Sequence, residues 1–327
     1  MIAAMDVIGN PSSVHAEGRQ AKALMEKARA QVARAFGAER ADIVFTSGAT
    51  EAARLALRSL DIVYGADIEH DAVAGQIATT WTADDDGIVD VPDPAASTLQ
   101  LANSETGVIQ RLPEGLAVSD ATQAFGKIPV AFNWMGCRMA LISGHKLGSP
   151  KGIGALVMRR GTDLGPQSPG GGQEMGRRSG TENLLGIVGF GAAAEAAVAE
   201  LESGAWDRVR ALRDAFEARI LAEAEGVTIA GAASERLPNT SCLVSPGWKG
   251  ETQVMQMDLK GFAVSAGSAC SSGKVRESRV LKAMGFDDRA AGSAIRVSLG
   301  PRTTEDEIMR FADTWLAQRE KHRARAA

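Results

Sequence analysis

The chain has 327 residues, 45% of them hydrophobic and 23% charged, which allows two domains with their own cores and excludes a disordered or fibrous protein. A net charge of −4 and a pI near 5.7 create no field that would gather nucleic acid or an anionic membrane. Three widely spaced cysteines (Cys137, Cys242, Cys270) and four scattered histidines offer neither a disulfide framework nor a CxxC or structural zinc site.

In chain order, residues 13–36 carry apolar residues at helical spacing and end at Gly37, which predicts one amphipathic helix. DIVFT (42–46) reads as a strand, followed by a helix with Ser47 as its expected N-cap. Strand-like runs recur at IVYG (62), TLQLAN (98), LAVSDA (116), RMALIS (138) and GIGALVM (152), and alternation of this kind implies a mostly parallel sheet covered on both faces. A glycine-rich loop at 165–181 is long enough to be functional. Two long helical patterns from Asn183 to about Ala224 are followed by VTIAG, NTSCLVS, FAVSAG and AIRVSL, a change of rhythm that marks a smaller α+β domain beginning near residue 200. GFGAAA (189–194) matches GxGxxA but lies inside a helical pattern, so its glycines indicate close helix packing and not dinucleotide binding. No apolar run approaches the roughly 18 residues of a membrane span. The opening MIAAMDVIGNP has neither a charged n-region nor a cleavage site, so a cytoplasmic protein with no membrane or nucleic-acid partner is expected. The basic C-terminal REKHRARAA reads as a solvated helix end.

Several segments carry chemistry. SGHKLGSPKG places Lys146 directly after a strand, at the carboxyl edge of a parallel sheet, where it is either a nucleophile or a surface lysine in a turn. As a Schiff-base former it must be neutral, so its ordinary pKa of about 10.4 has to be lowered by burial or a nearby cation. TSGATE (46–51) puts small residues and the Thr50 hydroxyl at a helix start, a place for phosphate. Asp120 ends an apolar strand and calls for a cationic partner, either a protonated pyridine nitrogen or an arginine. His70 in EHDAV and Arg296 in AIRVSLG also read as a structural histidine and a strand arginine.

Taken together, EHDAV, NSETGVIQ, DATQAFGK, SGHK, GGGQE, RRSGT, SAGSAC and IRVSLG stand in the order and spacing of one family. The chain resembles the pyridoxal-phosphate-dependent cysteine desulfurases of the class V aminotransferase group, over nearly its whole length. The resemblance implies fold type I, an α/β fold with a mostly parallel, seven-stranded-type sheet. It places a large cofactor domain at 10–200 and a small α+β domain at 201–327, with residues 1–9 packing on the latter. It makes Lys146 the lysine that holds pyridoxal 5′-phosphate, sets His70 over the ring and pairs Asp120 with the ring nitrogen. Gln123 approaches the ring oxygen, while Thr50, Ser143 and His145 reach the phosphate. Thr181 reaches the phosphate of a partner subunit, implying a homodimer. Asn103 and Arg296 bind the substrate carboxylate, Arg296 as a bidentate clamp.

Cys270, among small residues in SAGSACSSGK, matches the catalytic cysteine, whose thiolate takes sulfur from L-cysteine as a persulfide and leaves alanine. Cys242 reads as a core thiol. The loop after Cys270 resembles the subgroup that hands sulfur to iron–sulfur scaffold or other acceptor proteins, with selenocysteine as an alternative substrate. The family's usual opening strand and A-T-T-P-containing turn are expected to be lacking, since MIAAMDVIGNP resembles the end of its first helix, and regions 58–69 and 75–102 are shorter than usual. A transaminase of the same fold, which leaves Cys270 without a task, and a non-enzymatic cofactor-binding protein are the rival readings.

Overall fold

The computed structural model describes residues 1–61, 63–77, 79–165, 169–267 and 277–326. After α1 (Ile2–Met5), α2 (Ala16–Ala35) buries Gly18, Ala21, Met25, Ala28 and Val32, the stripe its spacing predicts. His15 caps it by accepting from the Gly18 N–H at 3.3 Å, so it starts three residues later than expected. Then come β1 (Ala41–Thr46), α3 (Ala49–Arg58), β2 (Tyr64–Ala66), α4 (Asp71–Ala74), β3 (Thr79–Trp81), β4 (Ser97–Thr98), β5 (Val118–Asp120), β6 (Met139–Ser143) and β7 (Gly154–Arg159). The N-cap of α3 is Gly48 and not Ser47, whose N–H is taken by Glu51 Oε2 at 2.6 Å.

These strands form one sheet in the order β1-β7-β6-β5-β4-β2-β3, in which β7 alone runs against the rest. Along β6, Met139 and Leu141 join the apolar layer under α3, and Ala140 and Ile142 join the one under α2 and α5 (Leu184–Glu202). Burial on both faces explains why the strand is apolar from Met139 to Ile142. TLQLAN yields a ladder only at Ser97–Thr98. Beyond it the Leu99 and Leu101 N–H groups still donate to Val118 O and Asp120 O of β5, while on the other side the Gln100 and Asn103 amides donate to the Ile68 carbonyl at 2.8 and 3.2 Å.

α5 meets the length and hydropathy of a membrane span, contrary to the sequence expectation, but it packs along α2. A Cβ on Gly191 would lie 2.9 Å from Ala28 Cα, so the glycines of GFGAAA do serve close helix packing. α1 packs on α5, with Met1 Sδ seated where a side chain on residue 189 would reach. Residues 1–5 therefore lie against α5, where Gly189 leaves room for Met1.

α6 (Ala205–Glu223), β8 (Thr228–Ile229), β9 (Thr240–Val244), α7 (Gly250–Asp258), α8 (Arg279–Ala283), α9 (Asp288–Ala291), β10 (Ala294–Ser298) and α10 (Glu305–Ala326) complete the chain. β10, β9 and β8 form an antiparallel sheet packed on a second apolar cluster containing Trp206, Phe216, Trp248, Phe311 and Trp315. FAVSAG forms no ladder, only a bridge between Ser265 and Arg296.

Candidate active site

Because every large-sheet strand but β7 runs the same way, the carboxyl ends of β1, β2, β5 and β6 meet at one edge, where a cavity of about 740 Å³ opens. Thr50, His70, Asp120 and Gln123 line it, as do Ser143, His145, Lys146 and Arg296. Lys146 sits in the short 3-10 turn Gly144–Leu147 that ends β6. Asp120 closes β5 at 8% exposure, its Oδ1 accepting from the Thr122 N–H at 2.9 Å.

His70 caps α4: its Nδ1 accepts from the Ala72 N–H at 3.1 Å, which puts the proton of the neutral ring on Nε2. Ser143 Oγ and His145 Nδ1 lie 2.8 Å apart. Burial, then repulsion from Lys146, Lys127 and Lys151, holds His145 below the ordinary histidine range. Arg296 donates from one Nη to Ser104 O at 2.6 Å and from the other to Ser265 Oγ at 3.3 Å, while its buried Nε has no partner among the described residues. A guanidinium held this way on a cavity wall is prepared for a carboxylate.

Two expected residues lie off the cavity. Asn103 is buried and outside the lining, and its Oδ1 accepts from Glu105 N, Thr106 N and Thr106 Oγ1 at 2.8, 2.9 and 3.2 Å; with Nδ2 on Ile68 O it shapes the turn that presents Ser104. Thr181 is exposed and away from the lining. The loop before it is anchored: Glu174 takes both Arg29 Nη groups at 2.9 and 2.8 Å and the Phe45 N–H at 2.9 Å, and Arg177 binds Asp42 at 2.9 Å. Burial works against the Glu51 carboxylate, but bonds from Arg178 and Ser47 hold it below its usual range.

Cys270 lies outside the described residues; the flanking Gly267 and Glu277 both line the cavity. Burial pushes the thiols of Cys137 and Cys242 up to about 12, so neither supplies a thiolate near neutrality. Two buried groups escaped the sequence reading although each stands in a quoted motif: Glu69 beside His70, and Lys127 four residues after Gln123.

The donor set fits pyridoxal phosphate. The start of α3, with Thr50, Ser143 and His145, suits the phosphate, Asp120 a protonated ring nitrogen and Lys146 the carbonyl carbon; the Arg296 guanidinium on the cavity wall suits a substrate carboxylate. An amine at the carboxyl edge of a mostly parallel sheet, facing that set, defines an α/β enzyme of the pyridoxal-phosphate fold type I.

Comparison with known proteins narrows the class. Residues 3–311 match the aminotransferase class-V family model. The chain is 39% identical over 342 residues to a cysteine desulfurase of Cereibacter sphaeroides, covering 93% of this chain and 87% of that one. To the cysteine desulfurase NifS of Azotobacter vinelandii it is 37% identical over 336 residues, 92% of this chain and 83% of the other. A NifS-like protein from Rickettsia africae superposes with a TM-score of 0.88 at 31% identity, covering 96% and 92%. The chain belongs to the class-V aminotransferase family, and the family is pyridoxal-phosphate dependent.

Proposed function

We propose that this protein is a cysteine desulfurase that converts L-cysteine to L-alanine and passes the sulfur, through a persulfide on Cys270, to an acceptor for iron–sulfur or other sulfur-cofactor assembly. The observation that carries it is the single cavity that collects Lys146, His70, Asp120 and Arg296, together with the burial of both other cysteines. The bound cofactor supplies an electron sink for the bond changes at the substrate Cα and Cβ. Lys146 tethers it, and Asp120 keeps its ring nitrogen protonated. Arg296 receives the substrate carboxylate between the anchors at Ser104 and Ser265 and fixes its orientation. His70, held by the Ala72 N–H, presents its Nε2 proton to the reacting groups. The Cys270 thiolate attacks the substrate sulfur: an S–S bond forms as the C–S bond breaks, the released electron pair stays with the carbon, and protonation of that carbon gives alanine.

The reading further comprises a large cofactor-binding domain over 10–200 and a smaller domain over 201–327, a cytoplasmic location, and a homodimer in which Thr181 reaches the partner's phosphate site. The test is mass spectrometry after L-cysteine exposure. The Cys270 peptide is expected to gain one sulfur, Cys270→Ser to lose alanine formation, and Cys137→Ser with Cys242→Ser to retain it. Borohydride is expected to trap the cofactor on Lys146. Alanine formation unchanged in Cys270→Ser refutes the sulfur-transfer route.

A further inference from the structure

Two turns line the cavity, and one short helix touches both. The first precedes α4 and carries His70, with Glu69 and Asp71 on either side of it in the lining. The second, over residues 103–107, puts Ser104 and Glu105 in the lining and offers the Ser104 carbonyl to Arg296. α8 meets the two with consecutive residues. Ser278 Oγ donates to Glu105 Oε2 at 2.6 Å while it caps its own helix at the Leu281 N–H, 3.1 Å away. Arg279 reaches the other turn, where one Nη donates to Glu69 O at 2.5 Å and to Asp71 Oδ1 at 3.3 Å.

The two contacts of Arg279 differ in weight. The pair with Asp71 stands in solvent, the side chains 43% and 55% exposed, so screening leaves it little energy. The bond to Glu69 O is partly buried and charge-assisted, and among the described residues no other group donates to that carbonyl. Its position matters more than its strength. Glu69 C=O and His70 N–H belong to one planar unit, so a bond to that oxygen sets the plane from which the His70 side chain departs. Other bonds fix what lies around this plane. Gln100 and Asn103 hold Ile68 O and the Glu69 carboxyl before it; after it, the Ala72 N–H holds the His70 ring, and the Val73 and Ala74 N–H groups hold His70 O at 2.8 and 2.9 Å.

We propose that Arg279 is a positioning residue for the reaction: by holding the peptide between Glu69 and His70 it sets the direction in which His70 presents Nε2 to the cavity. The inference rests on His70 being the group that exchanges protons with the reacting atoms. Such a group works only within hydrogen-bond reach of its target, and a displacement of about 1 Å can cost on the order of a hundredfold in rate. The substrate-carboxylate clamp is held by a separate arm, Ser278 on Glu105, so loss of Arg279 spares it.

The test compares Arg279→Met and Arg279→Lys with the parent holoenzyme, following alanine formed from L-cysteine and reading amide hydrogen exchange on the same full chains. In Arg279→Met, kcat is expected to fall about ten- to a hundredfold with KM for L-cysteine within about twofold of the parent. The amides of residues 72–74 are expected to exchange about tenfold faster, as one charge-assisted bond is lost, while those of residues 103–107 keep the parent rate. A single Nη makes both contacts, so Arg279→Lys keeps a cationic donor for Glu69 O and is expected to recover kcat to within about fivefold. A kcat within about twofold of the parent in Arg279→Met overturns the proposal, as does unchanged exchange at residues 72–74. A KM that rises in step with the fall in kcat, with faster exchange at residues 103–107 too, also overturns it, because that pattern marks a general loosening of the wall. If Arg279→Met does not fold, Arg279→Gln, uncharged and too short to reach Glu69 O, is read by the same outcomes. A parent chain that forms no alanine refutes the functional assignment instead, and exchange at residues 72–74 then decides alone whether Arg279 holds the turn.

Discussion

Glu69→Gln is expected to stabilise the protein at pH 8, and the gain is expected to vanish as the pH falls towards 4.5. Glu69 is 1% exposed; its Oε1 accepts from the Gln100 N–H at 2.7 Å, and its Oε2 is buried with no partner among the described residues. Burial, joined by repulsion from Asp120, pushes the carboxyl up to about 8 from an ordinary 4.5. Between those values the folded chain keeps a proton that the unfolded chain has lost. The native state then binds more protons, and stability falls as pH rises through that window and levels off above about 8. Glutamine stays neutral throughout and keeps an oxygen for Gln100. The variant escapes the loss, which is on the order of 3 kcal/mol at pH 7 and about 4 kcal/mol at pH 8 and above. Urea unfolding of both proteins at pH 5 and pH 8 measures it. A variant no more stable than the parent at pH 8 would mean that Glu69 is ionised in the fold.

The residues that escaped the sequence reading share a physical cause. Lys146, Asp120 and Arg296 were legible because each stands at the end or within an apolar strand, where a charge is conspicuous. Glu69 stands beside His70 and Asp71, and Lys127 stands in a turn beyond β5; what makes them unusual is burial, which comes with the contacts to Gln100 and Gln123 made only in the fold. The hydrogen bonds of Asn103 were not legible for the converse reason. They include one to Ile68, 35 positions earlier, a partner that local pattern does not contain. The long elements followed from periodicity: α5 and α6 lie where two helical patterns run back to back, and β6 and β7 are buried over most of their length. The ladders of β2, β3 and β4, two or three residues long, are too short to carry a period, and β3 had no strand signal at all.

Glu217→Ala is expected to cost about 3–5 kcal/mol, because it strands a buried guanidinium. Arg236 and Glu217 are each 7% exposed and make two parallel bonds of 2.8 and 2.7 Å. Glu217 lies on α6, while Arg236 lies in a segment zipped to residues 107–109: Ile109 N donates to Glu235 O and Leu237 N to Gly107 O, both at 2.8 Å. Residues 103–107 form the turn that presents the Ser104 carbonyl to Arg296. The ion pair therefore braces the substrate-carboxylate clamp from the far side, so Glu217→Ala should weaken L-cysteine binding as well as stability. Removing both charges tests whether the loss comes from the unpaired arginine. Glu217→Leu with Arg236→Met replaces the pair by apolar bulk and is expected to recover most of the stability, since a buried pair repays little more than its own desolvation. Urea unfolding of the single and double variants decides it. A double variant as unstable as Glu217→Ala would mean that the pair supplies net attraction, and a single-variant loss below about 1 kcal/mol would mean that water reaches Arg236 once Glu217 is gone.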